Sequence, residues 1–348
     1  MKKGIYFSSL NLFEESFFVF FTKCYNYKKN IRYRSHILIV SVGGNGEMKK
    51  RSINRDNYAI AGVIEALLII ALVVMILSTI QLYYIPQIME EKESDHMDEV
   101  LNQFSHLKSV LEVQSMLGVA VSNQPISYSP MSSPITMGSE QLPYFVTTGA
   151  LGQVNIFDKD YVESKIDILP KSPDFLNGIP LTSIRFLGDN AYFVDQNYIL
   201  EGGAIILKQN NGESTKVTPP INVQNYTTSI KINYTIPLFT SKPGKNIAGG
   251  SEITFIRTNY TRYYYHSDTS VSWLYIYTDY IQAWNQLLIN NDKGLLWEYY
   301  SNGYINVTYD NPNSPTRIEI TPGTKNLDVE LTIVELGVQI GPGFVISD

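Results

Sequence analysis

Glu65 is the only ionisable residue in AIAGVIEALLIIALVVMILSTIQ, which begins at Ala59, and twelve apolar residues follow it without interruption from Ala66 to Leu77. A carboxylate in that setting is costly unless it finds a partner or reaches water. Two chemistries follow. In an assembly of such helices Glu65 pairs with an amine; in an isolated span it snorkels toward the headgroups from the first turns. A second set of residues, Asn225, Asn233, Asn259 and Asn306, each has Thr two positions on, the acceptor pattern for N-linked glycans on an exported domain. Chance supplies sequons at a similar rate in a chain this rich in Asn, Ser and Thr.

Other chemistry finds little support. Asp158, Asp160 and Glu163 could ligate calcium, but no glycine-pivoted loop surrounds them and a solvated turn is the expected reading. His36, His96, His106 and His266 lack ligand spacing, and the single cysteine, Cys24, can form no disulfide within the chain. GxSxG, GxxxxGK and HExxH are missing, so no catalytic residue, metal or cofactor is assigned and the chain reads as non-enzymatic. The 25 tyrosines, including Tyr263 to Tyr265, suit a sugar-binding or self-association surface, but β-propensity already accounts for them.

The elements that carry these residues begin with a transmembrane helix over 59–85, long enough to cross about 30 Å of hydrocarbon. Lys49, Lys50, Arg51 and Arg55 precede it, and Glu90, Glu91, Glu93 and Asp95 follow. The positive-inside rule then leaves 1–58 in the cytoplasm and exports the rest. Tyr83 and Tyr84 fit the outer interface, and Pro86 is expected to end or kink the helix. Through Ile85 there are 11 Lys or Arg against 5 Asp or Glu, and beyond it 16 against 28, giving +6 and −12. So acidic an exterior part argues against nucleic acid as a partner. FFVFF at Phe17 to Phe21 is too short to span. Met1 and Met48 are both candidate starts; with the second, 1–47 is not translated.

Residues 86–117 form a stalk helix with Met97, Val100, Phe104, Leu107 and Leu111 alternating at spacings of three and four. That seam serves either a coiled coil or docking against the chain's own head. Gly118 is expected to end the helix, and 118–145, rich in Ser and Pro, to form an extended linker or an ordered loop. From 146 to 348 apolar residues alternate: Ile205 and Leu207, Ile230, Ile232 and Tyr234, Ile253 and Phe255, Ile305 and Val307. Asn210-Asn211-Gly212, Ser301-Asn302-Gly303 and Pro322-Gly323-Thr324 supply turn chemistry. One helical insertion is expected at 279–290, capped by Asp279, with Tyr280, Trp284, Leu287 and Leu288 on one face. The fold class is α+β: a membrane helix, a stalk, then a mainly antiparallel, sandwich-like β domain outside the cell.

MKKR at Met48 to Arg51 followed by RDNYAIAGVIEALLIIALVVMIL at Arg55 to Leu77 resembles the start of archaeal type IV pilin-like proteins. ILEGGAIILKQ at Ile199 to Gln209 and AWNQLL at Ala283 to Leu288 resemble features of archaeal membrane-anchored proteins of similar layout. The resemblance implies peptidase cleavage before the apolar helix, with Gly62 as the junction. It also implies a role for Glu65 in pairing with a neighbouring subunit's new amine, which the family assigns to the fifth mature residue. A cut after Gly62 makes Glu65 third, whereas a cut after Ile60 makes it fifth. The expected function is a membrane-anchored cell-surface protein, either a pilin-like subunit or a monomeric adhesin or solute-binding module. Its expected partners are the lipid bilayer and further copies of itself, through the membrane and stalk helices.

Overall fold

The computed structural model describes residues 54–120, 130–139, 149–170, 176–290, 293–309 and 317–342. Expectations that fall on 1–53, including the start site and the Lys49 to Arg51 cluster, lie outside the described residues. The chain divides into two compact units, 1–68 and 69–348, and the described part of the first is the opening of a helix.

That helix, α1 (Asn54–Thr79), leaves its apolar surface uncovered: Leu67 is 60% exposed, Leu68 65% and Met75 70%. A stretch this long and bare has no counterpart on an ordinary water-facing helix, and it meets the length and composition needed to cross a membrane. Thr79 returns its hydroxyl to the Met75 carbonyl at 2.9 Å, so it adds no unpaired polar group. Pro86 neither ends the helix nor stands at a break. One wide π turn, Ile80–Tyr84, takes up the hydrogen bond that proline cannot donate, and α2 (Ile85–Ala120) follows directly.

α2 is about 54 Å long at 1.5 Å per residue, and its seam is buried in the chain's own core. Met97, Val100, Phe104, Leu107 and Leu111 are at most 3% exposed and pack with strand residues. Polar side chains on the same helix fix its register. Gln103 clamps Thr136, accepting from its N–H at 2.8 Å and donating to its hydroxyl at 2.8 Å. Gln114 donates to the Thr258 carbonyl at 3.0 Å, and Glu93 accepts three successive N–H groups from Ala191, Tyr192 and Phe193. Gly118 does not end the helix. It is buried within it because a Cβ there would lie 2.1 Å from the Tyr260 ring. The stretch read as a linker contains a strand, β1 (Met131–Thr136), held by Gln103 and by pairing with Ile253 to Thr258.

The described residues beyond the helix are mostly β. One sheet is built on β12 (Ile253–Tyr277), whose run of Ile, Thr and Tyr favours extended backbone and whose pairing shifts register three times along its length. Its start, Ile253 to Thr258, pairs with β1; Ile256 to Val271 pair with β15 (Asn326–Ile340); and its end, from Val271, pairs with β3 (Lys165–Pro170) and, from Leu274, with β14 (Arg317–Pro322). β4 (Leu176–Pro180) pairs β3, β13 (Ile305–Tyr309) pairs β14, and beyond β15 come β10 (Ser229–Ser241) and β9 (Ile221–Asn225). All these pairs are antiparallel except β10 with β15, which is parallel. The other sheet is antiparallel throughout, in the order β11 (Ile247–Gly250), β2 (Leu151–Phe157), β5 (Ser183–Asp189), β6 (Gln196–Glu201), β7 (Ala204–Gln209) and β8 (Gly212–Val217).

The β6–β7 hairpin is the meeting point of two cores. Tyr198, Leu200, Ile205 and Leu207 pack with the α2 seam, while Ile199, Ala204 and Ile206 face the inner residues of the larger sheet and α3 (Ile281–Ile289). The expected alternation in this segment therefore fails, since Ile205 and Ile206 are both fully buried. Near the start of β12 the alternation is inverted: Ile253 and Phe255 are 47% and 45% exposed and Ile256 is the buried residue. The face of α3 is as expected, with Tyr280, Trp284, Leu287 and Leu288 buried. Asp279 does not cap it. Asp279 pairs with Arg185 at 3.3 Å, and the Tyr280 N–H is taken by the Thr278 hydroxyl. Gly303 ends the short helix α4 (Trp297–Ser301) at φ +68° instead of turning a hairpin.

Candidate functional site

Gly62 and Glu65 lie three residues apart on α1, on the same side of the helix, and both are exposed. The four sequons divide into two classes. Asn225, at the end of β9, and Asn306, in β13, are exposed together with Thr227 and Thr308. Asn233 in β10 and Asn259 in β12 lie within inner strands, partly buried, each with an enclosed Oδ1 that has no hydrogen-bond donor.

The aspartates do not make a metal site. Asp158 is 4% exposed, accepts the Asp160 N–H at 3.1 Å on Oδ1 and the Ser241 hydroxyl on Oδ2, and so closes a local turn. Asp158 is its buried member, while Lys159, Asp160 and Tyr161 are exposed, as expected of a solvated turn. Among the described residues, no group of three or more His, Cys, Asp or Glu is placed to hold a metal ion. The Tyr263 to Tyr265 triplet runs along β12, where Tyr265 donates to Glu330 at 2.6 Å and Arg262 pairs with Glu335.

Among the described residues, the carboxyl raised furthest is one the sequence did not single out. Glu201 ends β6 at a two-residue hairpin formed by Gly202 and Gly203, both at positive φ (55° and 82°), the geometry that joins strands of natural twist. The hairpin thrusts Glu201 inward to 0% exposure. Its Oε1 accepts the Thr278 hydroxyl at 2.6 Å and the Trp284 indole N–H at 3.0 Å, while Oε2 is enclosed without a donor. Burial pushes the carboxyl from 4.5 up to about 7, against the two hydrogen bonds and the Arg185 guanidinium, which act to lower it. Tyr234 donates to the Gly202 carbonyl at 2.7 Å, and burial, followed by the nearby Glu201, raises its phenol well above the ordinary value. Glu201 thus joins the hairpin of the smaller sheet to the end of β12 and to α3. A carboxyl so enclosed can hold a proton but has no open face for a substrate. The signal in the sequence is a single Glu between an apolar run and Gly-Gly.

A separate apolar groove of about 360 Å³ lies between the last turns of α2 and the β6–β7 hairpin, lined by Leu111, Met116, Leu200, Pro220 and Pro237. Its charged lining is the Lys108–Glu112 ion pair. These features define the class of protein: one helix long and apolar enough to span a membrane, followed by a mostly β domain that incorporates the helix's continuation. Comparison with family models, curated proteins and solved structures finds no match to this chain.

Proposed function

We propose that this chain is a non-enzymatic, membrane-anchored cell-surface protein. Its single span runs outward from a cytoplasmic N-terminus and holds a sandwich-like β head outside the cell. The observation that carries this reading is that the uncovered apolar helix α1 runs through one π turn into α2, whose seam belongs to the core of the head. A helix built into a folded domain is a stiff support, suited to presenting that domain at a fixed distance from a bilayer. The change from basic residues before the span to acidic ones after it gives the direction. Protease added to intact cells should release the head; a head that stays protected while other surface proteins are digested would refute the orientation.

A second reading, a pilin-like subunit, is favoured by one placement, that of Gly62 and Glu65 on the same side of an uncovered apolar helix. Self-association on this reading runs through the membrane helix, because the stalk seam is already occupied. Substitution Glu65→Ala makes the span more apolar and leaves insertion intact, yet removes the carboxylate that would set the stagger between subunits. Crosslinking in native membranes should then recover oligomers from the wild type and only monomers from the variant. Identical monomeric patterns would leave the monomeric adhesin or solute-binding module as the reading.

A further inference from the structure

We infer that Asn225 and Asn306, and not Asn233 or Asn259, carry N-linked glycans, and that these glycans shield β9 and β13, two edge strands of the larger sheet, from edge-to-edge pairing. This rests on the exterior placement of the head proposed above. In the transfer, the side-chain Nδ2 displaces a lipid-linked pyrophosphate from the anomeric carbon of an oligosaccharide donor, losing a proton as the C–N bond forms. The amide nitrogen and the hydroxyl two residues on must therefore both be reachable.

Only two of the four sequons meet that condition in full. At Asn225 and Asn306 the asparagine and its threonine are both exposed. Lys325 donates its ammonium to Asn225; because Lys can only donate, the amide atom facing it is Oδ1, which leaves Nδ2 as the end turned away. Asn306 Nδ2 makes only a long 3.5 Å contact to the Pro322 carbonyl. Asn233, by contrast, sits on β10 between β9 and β15, and Asn259 sits on β12 beside β15, just past the end of its pairing with β1; each has Oδ1 enclosed, and their threonines, Thr235 and Thr261, are partly buried.

The positions of the two exposed sequons match a structural need. Among the described residues β13 pairs only with β14, and β9 only with β10, so each presents one edge of backbone donors and acceptors. Elsewhere the fold covers such an edge with its own parts: α3 lies against β8, where Thr215 gives its hydroxyl to the Ala283 carbonyl at 2.8 Å and its N–H to Gln286. On β9 the Val223 carbonyl accepts the Tyr299 hydroxyl at 3.4 Å, and Asn225 stands two residues further on. A hydrated oligosaccharide at Asn225 and another at Asn306 would each occupy the approach to one of these edges; α3 touches β13 at its far end, where the Tyr309 hydroxyl donates to Asn285.

Glycopeptide mapping of the full chain from native membranes tests the assignment, run beside protease release from intact cells. Expected are glycan masses on the peptides containing Asn225 and Asn306 and unmodified peptides for Asn233 and Asn259. N225Q with N306Q should lose both masses and shift the solubilised protein from monomer to larger species, whereas N233Q should change neither. A head that is released by protease but bears no glycan on Asn225 and Asn306 overturns the inference and leaves the exterior reading standing. Glycans on Asn233 or Asn259 overturn the selectivity, and a double variant that stays monomeric overturns the edge role. A head that protease cannot reach overturns the exterior placement and the inference with it.

Discussion

Raising the pH from 4.5 to 8 should destabilise the head by about 3 kcal/mol, through Glu201 alone. The carboxyl is fully buried and its folded value, about 7, stands above the 4.5 expected when it is free in the unfolded chain. Between those values the folded state keeps a proton that the unfolded state has released. The stabilisation is therefore complete below about 4.5, falls as pH rises through about 7, and levels off above it. The charges around Glu201 do not remove the penalty: Arg185, the cation that acts on it, is drawn to Asp279, and Asp279 itself disfavours ionisation of Glu201. Glu201→Gln keeps an acceptor for Thr278 and Trp284 but cannot ionise. It also leaves a buried NH2 without an acceptor, at a cost of about 1 kcal/mol. The stability curves should then cross: the variant weaker than wild type at pH 4.5 and stronger at pH 8 by roughly 2 kcal/mol, the ionisation penalty less the unpaired amide. Urea unfolding of the detergent-solubilised protein across that range measures both curves. A wild type with no slope, or a variant that keeps it, would show that Glu201 ionises without cost to the fold.

Much of the architecture was legible because it depends on local pattern. Twelve apolar residues in a row fix a bare helix, and spacings of three and four from Met97 to Leu111 mark a buried face. What pattern cannot reveal is what covers a face. Gly118 carries the signature of a helix stop, yet the decisive fact is the Tyr260 ring, 142 residues away in the chain. Alternation at Ile253 and Phe255 pointed to the wrong face because Ile256 and Tyr260, further along the same strand, meet the core cluster of α2. The hairpin at Gly202-Gly203 was not singled out although Gly-Gly is a strong turn signal; both flanking strands are buried on two faces, so neither shows the in–out alternation that marks a hairpin arm. Glu201 was missed with it. Of the site residues, the sequence supplied the identities of Asn225 and Asn306, and only the fold could separate them from Asn233 and Asn259.

Removing α2 should abolish folding of the head, and Phe104→Ala alone should cost about 3–5 kcal/mol. Phe104 is fully buried, with its ring 6.4 Å from Phe186 and 6.3 Å from Tyr198, so its loss opens a cavity between the helix and the smaller sheet. Val113, on the same helix but 46% exposed, serves as the control, and its change to Ala should stay within about 0.5 kcal/mol. A fragment beginning at Pro86 retains the seam, the Gln103 clamp on β1 and the Glu93 bonds to residues 191–193, and should fold and unfold cooperatively. One beginning at Pro130 keeps every strand but exposes the apolar faces of Val154, Phe186 and Leu200, which α2 covers, and leaves three N–H groups without their carboxylate. It should aggregate or remain unfolded in circular dichroism and proteolysis. If that fragment instead folds with native stability, α2 is a detachable stalk and the stiff coupling between anchor and head fails. If it does not fold, α2 is part of the β domain's own core, and the described chain from Ile69 to Ala120 joins that core to the apolar helix as helix throughout, with one π turn at Ile80–Tyr84.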